Sequence, residues 1–441
     1  MRLTAIHFCI LGLGLGLGPN AILGSTEADV HAPLGGFKFE KATRLSEPTA
    51  DKSTTRHSHL RQVKQPSGRR STISAAFHAT DRDEPRQNIT TINGFSTQYA
   101  IRCGWDDSSV WLLLDTGSSD TWSVGRGFHC SDSNGSNQTQ SSCGLAHPHI
   151  GGFSGGEVAD VHFALKYGSG EEVVGPMGYS DIACGGLTVS GQQVGLANAT
   201  SWRGNNVTSG LLGLAYPVLT SAYYGKIGDE APWNLVTYPP FLTNAISQGS
   251  IDPTFSVAII RNSTDGVLAW GGLPPVSYDR TSVTATDLII AKLVDDDETA
   301  WRYSFYTVVP DGIKWDQTTD ETRYPYIVDT GTTAIYLPPP LMDKVANSFE
   351  PSAVYMFQWD MYFVDCAAIP PTFAVTIEGV DFWINPADLI FKELVDPMTG
   401  YCALGLASGG AGPYILGDVF LQNVVAVFDI GGAQMRFYAQ H

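Results

Sequence analysis

The feature that most constrains this chain is a phrase written twice. Residues 111 to 122 read WLLLDTGSSDTW, and residues 324 to 337 read YPYIVDTGTTAIYL. In each, an apolar strand runs straight into Asp-Thr-Gly and then into hydroxyl residues. Asp followed closely by Gly is ordinary turn chemistry after a buried strand. A carboxylate at the end of such a strand must still be paired or protonated, because the charged form loses its water at high cost. Repetition makes the phrase architectural. Asp115 and Asp329 lie 329 − 115 = 214 positions apart. Each is followed, after 211 − 115 = 96 and 415 − 329 = 86 residues, by an apolar pair closed by glycine: Leu211-Leu212-Gly213 and Ile415-Leu416-Gly417. One unit used twice predicts two similar lobes, each bringing one carboxylate to a shared cleft, where ligand pockets tend to lie.

Length agrees, since 441 residues exceed a single ordinary core and suit two domains of about 170 to 190 residues plus extra segments. Short β-branched or aromatic runs separated by Gly, Pro, Asn and Asp, as in HFALKYGSGEEVVGPMGYSDIACGGLTVSG, predict an all-β chain. PPFLTNAISQGS and PPLMDKVANSF, each opened by proline with apolar residues at helical spacing, are the best helical segments.

The start, MRLTAIHFCILGLGLGLGPNA, reads as a signal peptide over residues 1–21. It is too short and glycine-rich for a spanning helix, and no other segment offers the roughly 20 apolar residues a span needs. The C-terminus, RFYAQH, carries no lipid-attachment signal. A secreted protein without a membrane anchor is expected, with a vacuolar destination equally open. Beyond Cys9, six cysteines remain, an even number suited to an oxidising compartment but compatible with 15 connectivities. Local spacing favours Cys130 with Cys143 and Cys366 with Cys402, and elimination leaves Cys103 with Cys184. Neither Cys-x-x-Cys nor paired His spacing points to a metal. Sequons at Asn88, Asn134, Asn137, Asn198, Asn206 and Asn262 fit glycosylated surface loops.

Charge divides the chain. Residues 1–70 hold 10 Lys or Arg against 5 Asp or Glu, about +5, and the rest hold 16 against 39, about −23, summing to −18. A basic arm on an acidic body, ending at Arg69-Arg70, predicts a prosegment over residues 22–70 that docks electrostatically and is cut off. The mature start is Ser71 or further on, near Asn88. Two lobes then occupy residues 71–265 and 266–441. The acidic body disfavours nucleic-acid binding.

These residues together resemble the pepsin-like aspartic peptidases, from about residue 95 to the C-terminus. DTGSSDTW and DTGTT resemble that family's active-site signatures, KYGSG its flap, and GLLGLAYP and YILGDVF followed by AVFD its two hydrophobic-hydrophobic-glycine elements. The resemblance implies an all-β, bilobal fold with a long cleft, and an endopeptidase that needs no cofactor. It implies that Asp115 and Asp329 are the catalytic pair and that Thr116 and Thr330 lock the two loops together. Ser118 and Thr332 would bond the outer carboxylate oxygens, and Gly117 and Gly331 would allow close backbone approach. Tyr167 matches the flap tyrosine, Trp122 the partner of its hydroxyl, and Gly168, Ser169 and Gly170 the flap tip. Protein or peptide substrates, the chain's own prosegment as intramolecular inhibitor, and a monomer are expected. A catalytically silent peptide-binding protein is the alternative class, opposed by intact signatures in both halves.

Two departures stand out. Ser209 replaces the acid that many relatives carry before the first hydrophobic-hydrophobic-glycine element, and Glu171-Glu172 replaces the flap's small hydroxyl pair. Successive strand residues point to opposite faces, so one glutamate should face inward, beside the pocket for the residue before the scissile bond, where it would pair with a substrate Lys or Arg.

Overall fold

The computed structural model describes residues 37–40, 86–92, 98–168, 170–260, 265–293 and 303–440. The expected signal peptide, most of the basic arm, Ser169 and Asn262 lie outside the described residues.

Alternating hydrophobicity makes the strands, and departures from alternation show where they are covered twice. Strand Ser108–Asp115 alternates at its start but is buried at every position from Leu112 to Asp115. The reason is strand Gly210–Gly213, which runs parallel beside it with Gly213 opposite Asp115 and antiparallel beside Thr121–Ser131. The second lobe repeats this: Tyr414–Leu416 lies parallel to Tyr326–Val328 and antiparallel to Ile335–Leu337. Each hydrophobic-hydrophobic-glycine element is thus the central strand crossing the root of one Asp-Thr-Gly loop.

Among the described residues, one 16-stranded sheet spans both halves, with sheets of five, four and four strands in the C-terminal half and a two-stranded sheet of Phe37–Glu40 with Ile290–Leu293. The spanning sheet is continuous because Arg86–Ile92 pairs with both Gln98–Trp105 and Asp265–Trp270, while Thr254–Ile259 pairs with Asp265–Trp270 and with Val424–Asp429. Phe255 stacks on Phe428 at 4.4 Å between ring centroids, and Tyr306 meets Phe428 edge-on at 4.8 Å. Offset and edge contacts of this kind add about 0.5 to 1.5 kcal/mol beyond the area buried. Both expected helices form, Phe241–Ser247 and Pro339–Ala346, and each buries its apolar side. A further short helix, Asp418–Leu421, carries no proline start or long periodicity to announce it.

Cys103–Cys184, Cys130–Cys143 and Cys366–Cys402 are all bonded. The first joins directly opposed residues of neighbouring strands. Of the sequon asparagines, Asn134, Asn137, Asn198 and Asn206 are exposed, and Asn88 lies in a strand of the shared sheet. No described helix is long and apolar enough to cross a membrane.

The Tyr306 hydroxyl, fully buried, donates to the Leu214 carbonyl at 2.6 Å and so ties the second half to the end of the first half's central strand. Removing one partner of a buried hydrogen bond leaves the other desolvated and unpaired. Tyr306→Phe should therefore lower stability by about 1 to 3 kcal/mol in urea unfolding, without altering the slope of the transition.

Candidate active site

The two loops meet with near two-fold regularity. The Thr116 N–H donates to Thr330 Oγ1 at 3.1 Å, and the Thr330 N–H donates to Thr116 Oγ1 at 3.0 Å. Each hydroxyl then donates into the other lobe, Thr116 to the Val328 carbonyl and Thr330 to the Leu114 carbonyl, both at 3.0 Å. Four buried bonds thus cross between lobes through two side chains. A threonine hydroxyl supplies one donor and two acceptor sites, and this arrangement uses it in both senses.

With the loops locked, the carboxylates face each other. Asp115 and Asp329 are each only 2 % exposed. The Gly117 N–H donates to Asp115 Oδ1 at 2.8 Å, and the Gly331 N–H donates to Asp329 Oδ1 at 2.8 Å. Ser118 Oγ donates to Asp115 Oδ2, and Thr332 Oγ1 donates to Asp329 Oδ2 at 2.6 Å. Glycine is required at both loops by proximity. A Cβ on Gly117 would lie 2.7 Å from the Asp329 carboxylate, and one on Gly331 would lie 2.5 Å from Asp115 Oδ1.

Burial raises both carboxyls. For Asp115 the Asp329 charge adds to it and the Ser118 and Gly117 donors only partly oppose it, so its carboxyl stands well above the usual range. Asp329 is also raised by burial, against donation from Thr332 and Gly331, and its hydrogen bond with Asp115 favours its ionised form. Two carboxyls so placed do not both ionise readily, and the pair keeps one proton where isolated carboxyls have lost theirs.

The flap is the hairpin of Glu157–Lys166 and Glu172–Cys184. Its tip closes where the Tyr167 N–H donates to the Glu171 carbonyl at 2.8 Å and the Gly170 N–H to the Tyr167 carbonyl at 2.9 Å. Gly168 lies exposed in the turn, and Gly170 takes φ 86°, which favours glycine. The Trp122 indole N–H donates to the Tyr167 hydroxyl at 2.9 Å, the one sense an indole permits. The glutamates divide as strand alternation requires. Glu172 is exposed and pairs with Lys166 at 2.6 Å, whereas Glu171 is buried and its Oε1 accepts from the Arg203 N–H at 2.8 Å. Glu171 also lines a cavity of about 320 Å³ together with Asp132, Ser142, Trp202 and Arg203. Its carboxylate is thus engaged by the main chain before any substrate arrives.

Two residues of the site escape sequence reading. Trp202 meets Trp122 and Tyr167 edge-on, at 5.1 and 5.3 Å, and completes the aromatic seat under the flap. Its surroundings, NATSWRGNN, give no sign of that role. Asp418, fully buried directly after Gly417, carries a signal like that of Asp115: a carboxylate inside an apolar run. Its N–H donates to the Thr332 carbonyl at 2.8 Å. Its carboxylate oxygens have no hydrogen-bond partner among the described residues. The equally buried Tyr99 hydroxyl lies near enough to influence its ionisation but does not reach bonding geometry. Burial first, and then the charge of Asp329, holds the Asp418 carboxyl well above its ordinary value.

Comparison with known proteins agrees with this geometry. The model of the eukaryotic aspartyl protease family matches residues 98–440. A probable aspartic-type endopeptidase of Aspergillus fumigatus is 34% identical over 412 residues, covering 90% of this chain and 91% of that protein. Cathepsin E of Mus musculus is 29% identical over 370 residues, covering 80% and 81%. Among solved structures, the aspartic proteinase from Irpex lacteus superposes with a TM-score of 0.60, covering 80% of this chain and 97% of that one. At 20% identity, that likeness speaks to the fold.

Replacing Thr330 by Val keeps its shape but deletes a buried acceptor and a buried donor, so the variant should lose about 1 to 3 kcal/mol per unpaired group in urea unfolding. Thr330→Ser, which retains the hydroxyl, should recover most of that loss.

Proposed function

The chain belongs to the eukaryotic aspartyl protease family and is an aspartic endopeptidase that hydrolyses peptide bonds of protein substrates at acidic pH; on that premise we propose that Asp115 and Asp329 activate the water that attacks the peptide. The observation that carries the reading is the pair of facing, buried carboxylates, each held by a backbone N–H and a hydroxyl.

The ionised member takes a proton from water as its oxygen bonds to the carbonyl carbon, and the neutral member gives its proton to the carbonyl oxygen. The resulting gem-diol collapses as its C–N bond breaks: the carboxyl that is now protonated gives its proton to the leaving nitrogen, and the carboxylate that is now ionised takes one from a gem-diol hydroxyl, which leaves a carboxylic acid and an amine and restores the dyad. Water is the nucleophile, so no acyl-enzyme forms. Thr116 and Thr330 fix the loops, Ser118, Thr332, Gly117 and Gly331 orient the carboxylates, and Tyr167 at the flap, seated by Trp122, covers an extended substrate. Main-chain recognition with alternate side chains in pockets suits such a cleft. The lobes are taken as residues 71–265 and 266–441.

Regulation by the basic arm belongs to the same reading. Support comes from strand Phe37–Glu40, which pairs antiparallel with Ile290–Leu293, Phe37 opposite Leu293 and Glu40 opposite Ile290. We take residues 22–70 as an inhibitory prosegment of a secreted, monomeric zymogen, released as acid protonates the body's carboxylates and weakens the attraction.

Turnover needs one neutral and one ionised carboxyl, so kcat should fall on both sides of an acidic optimum. Asp115→Asn and Asp329→Asn should each abolish cleavage of a denatured protein substrate while leaving circular dichroism unchanged, and full activity in either would remove the assignment. N-terminal sequencing before and after acid exposure should show loss of residues up to Arg70 or beyond, whereas an active enzyme retaining residues 30–70 would contradict the zymogen. Glu171 is retained as a selectivity residue through the cavity it lines. Glu171→Gln should lower the ratio of cleavage after Lys to cleavage after Leu, and an unchanged ratio would leave it a fixture of the flap.

A further inference from the structure

Five residues beyond Asp115, on the same loop, stands a carboxylic acid that the reaction does not use. Asp120 is 1 % exposed. Its Oδ1 accepts from the Tyr238 hydroxyl at 2.6 Å, and the Ser221 N–H is shared between Oδ2 at 3.0 Å and Oδ1 at 3.2 Å. Its carbonyl accepts from the Gly213 N–H at 3.1 Å. One residue thereby joins the end of the catalytic loop to the central strand, to segment 220–221 and to segment 238–240. Tyr238 packs in the same buried cluster as Trp122 and Tyr167, so the brace reaches the seat of the flap.

Among the described residues none of the ion pairs includes Asp120. The ionisable groups facing it are Tyr238 from segment 238–240 and Tyr223 from strand Ala222–Tyr224. Behind Tyr223 lie His162, stacked on its ring, and Glu230, bonded to that histidine. Burial pushes the Asp120 carboxyl up to about 6, against the pull of the Tyr238 and Ser221 donors. The neutral acid keeps the same contacts, since its own O–H can donate to the Tyr238 oxygen across the 2.6 Å gap. Ionised, it is an unpaired charge inside the lobe.

We infer that Asp120 is a positioning residue that braces the first catalytic loop as a neutral acid and loosens it on ionising, which sets an upper pH limit on the ordered active site. The inference rests on reading the Asp115 loop as catalytic. The sign follows from linkage. A carboxyl at about 3.9 unfolded and about 6 folded binds protons more tightly when folded. Its stabilising effect is complete below about pH 4, is lost between about 4 and about 6, and changes no further above that.

Full-length protein carrying Asp329→Asn to prevent self-digestion, with and without Asp120→Asn, should be unfolded in urea at pH 4 and pH 7. The chain retaining Asp120 should show a rise in its unfolding constant on going to pH 7 that is about 10²-fold larger than that of the Asp120→Asn chain; equal rises overturn the inference. An Asp418→Asn control identifies the share of any pH effect that belongs to the other uncompensated carboxyl. In ¹³C-aspartate NMR, a carboxyl resonance missing from Asp120→Asn should titrate near pH 6, and one already ionised at pH 4 overturns the inference. If Asp120→Asn fails to fold, Tyr238→Phe replaces it: loss of a donor to the charged form should move that resonance to higher pH, and an unmoved or lowered midpoint counts against the brace. Unfolding and NMR do not depend on peptide cleavage, so failure here is distinct from failure of the catalytic assignment. Only with that assignment intact should the ratio of activity at pH 6 to that at pH 4 also rise in Asp120→Asn, made without the Asp329 change.

Discussion

Two like-charged groups held against each other and almost out of water form the constraint on which the site depends. A single uncompensated buried charge costs several kcal/mol, so nothing in a folding chain brings two together by default. Here each carboxylate accepts from a backbone N–H and a hydroxyl within its own loop, and hydrogen bonds to charged groups are worth about 1.5 to 3 kcal/mol each. The shared proton removes much of the remaining repulsion. Those local bonds hold the carboxylates in their loops, and the crossed bonds of Thr116 and Thr330 hold the loops to one another. The central strands, the glycines and the threonine lock are consequences of keeping one pair of oxygens in place.

Much of this is legible in the sequence because it is written twice. Asp-Thr-Gly and the later apolar pair with glycine recur at comparable spacing, and the structure repeats their pairing strand for strand. Alternation predicts the opposed faces of Glu171 and Glu172, and local spacing with elimination gives the three disulfides. Most of what escapes has no repeated or local signature. Trp202 joins its aromatic neighbours only through the return of a long strand. Glu171 meets the Arg203 amide across 32 positions, a contact no strand period encodes. Asp418 differs, for it carries the signal of Asp115, an acid inside an apolar run.

Buried acids recur beyond the dyad. Asp115, Asp329, Asp418 and Asp120 are all raised by burial, and the whole chain carries −18 at neutrality. Each raised carboxyl binds its proton more tightly when folded, so each contributes stability in acid that weakens as pH rises through its folded value. Surface repulsion among carboxylates acts in the same direction. Chemistry and stability therefore draw on one variable, and the conditions that keep a proton in the dyad also favour the fold.

The sheet shared by the two halves has a mechanical consequence. Strands far apart in the chain, Arg86–Ile92 and Gln434–Ala439, belong to it, and an unbroken ladder of backbone hydrogen bonds connects the lobes. Two bodies joined by a loop swing freely, whereas two bodies joined by a sheet move against its twist. Widening the cleft to admit a polypeptide must therefore deform a hydrogen-bonded ribbon as a torsion spring, whose restoring force presses the lobes back onto whatever lies between them.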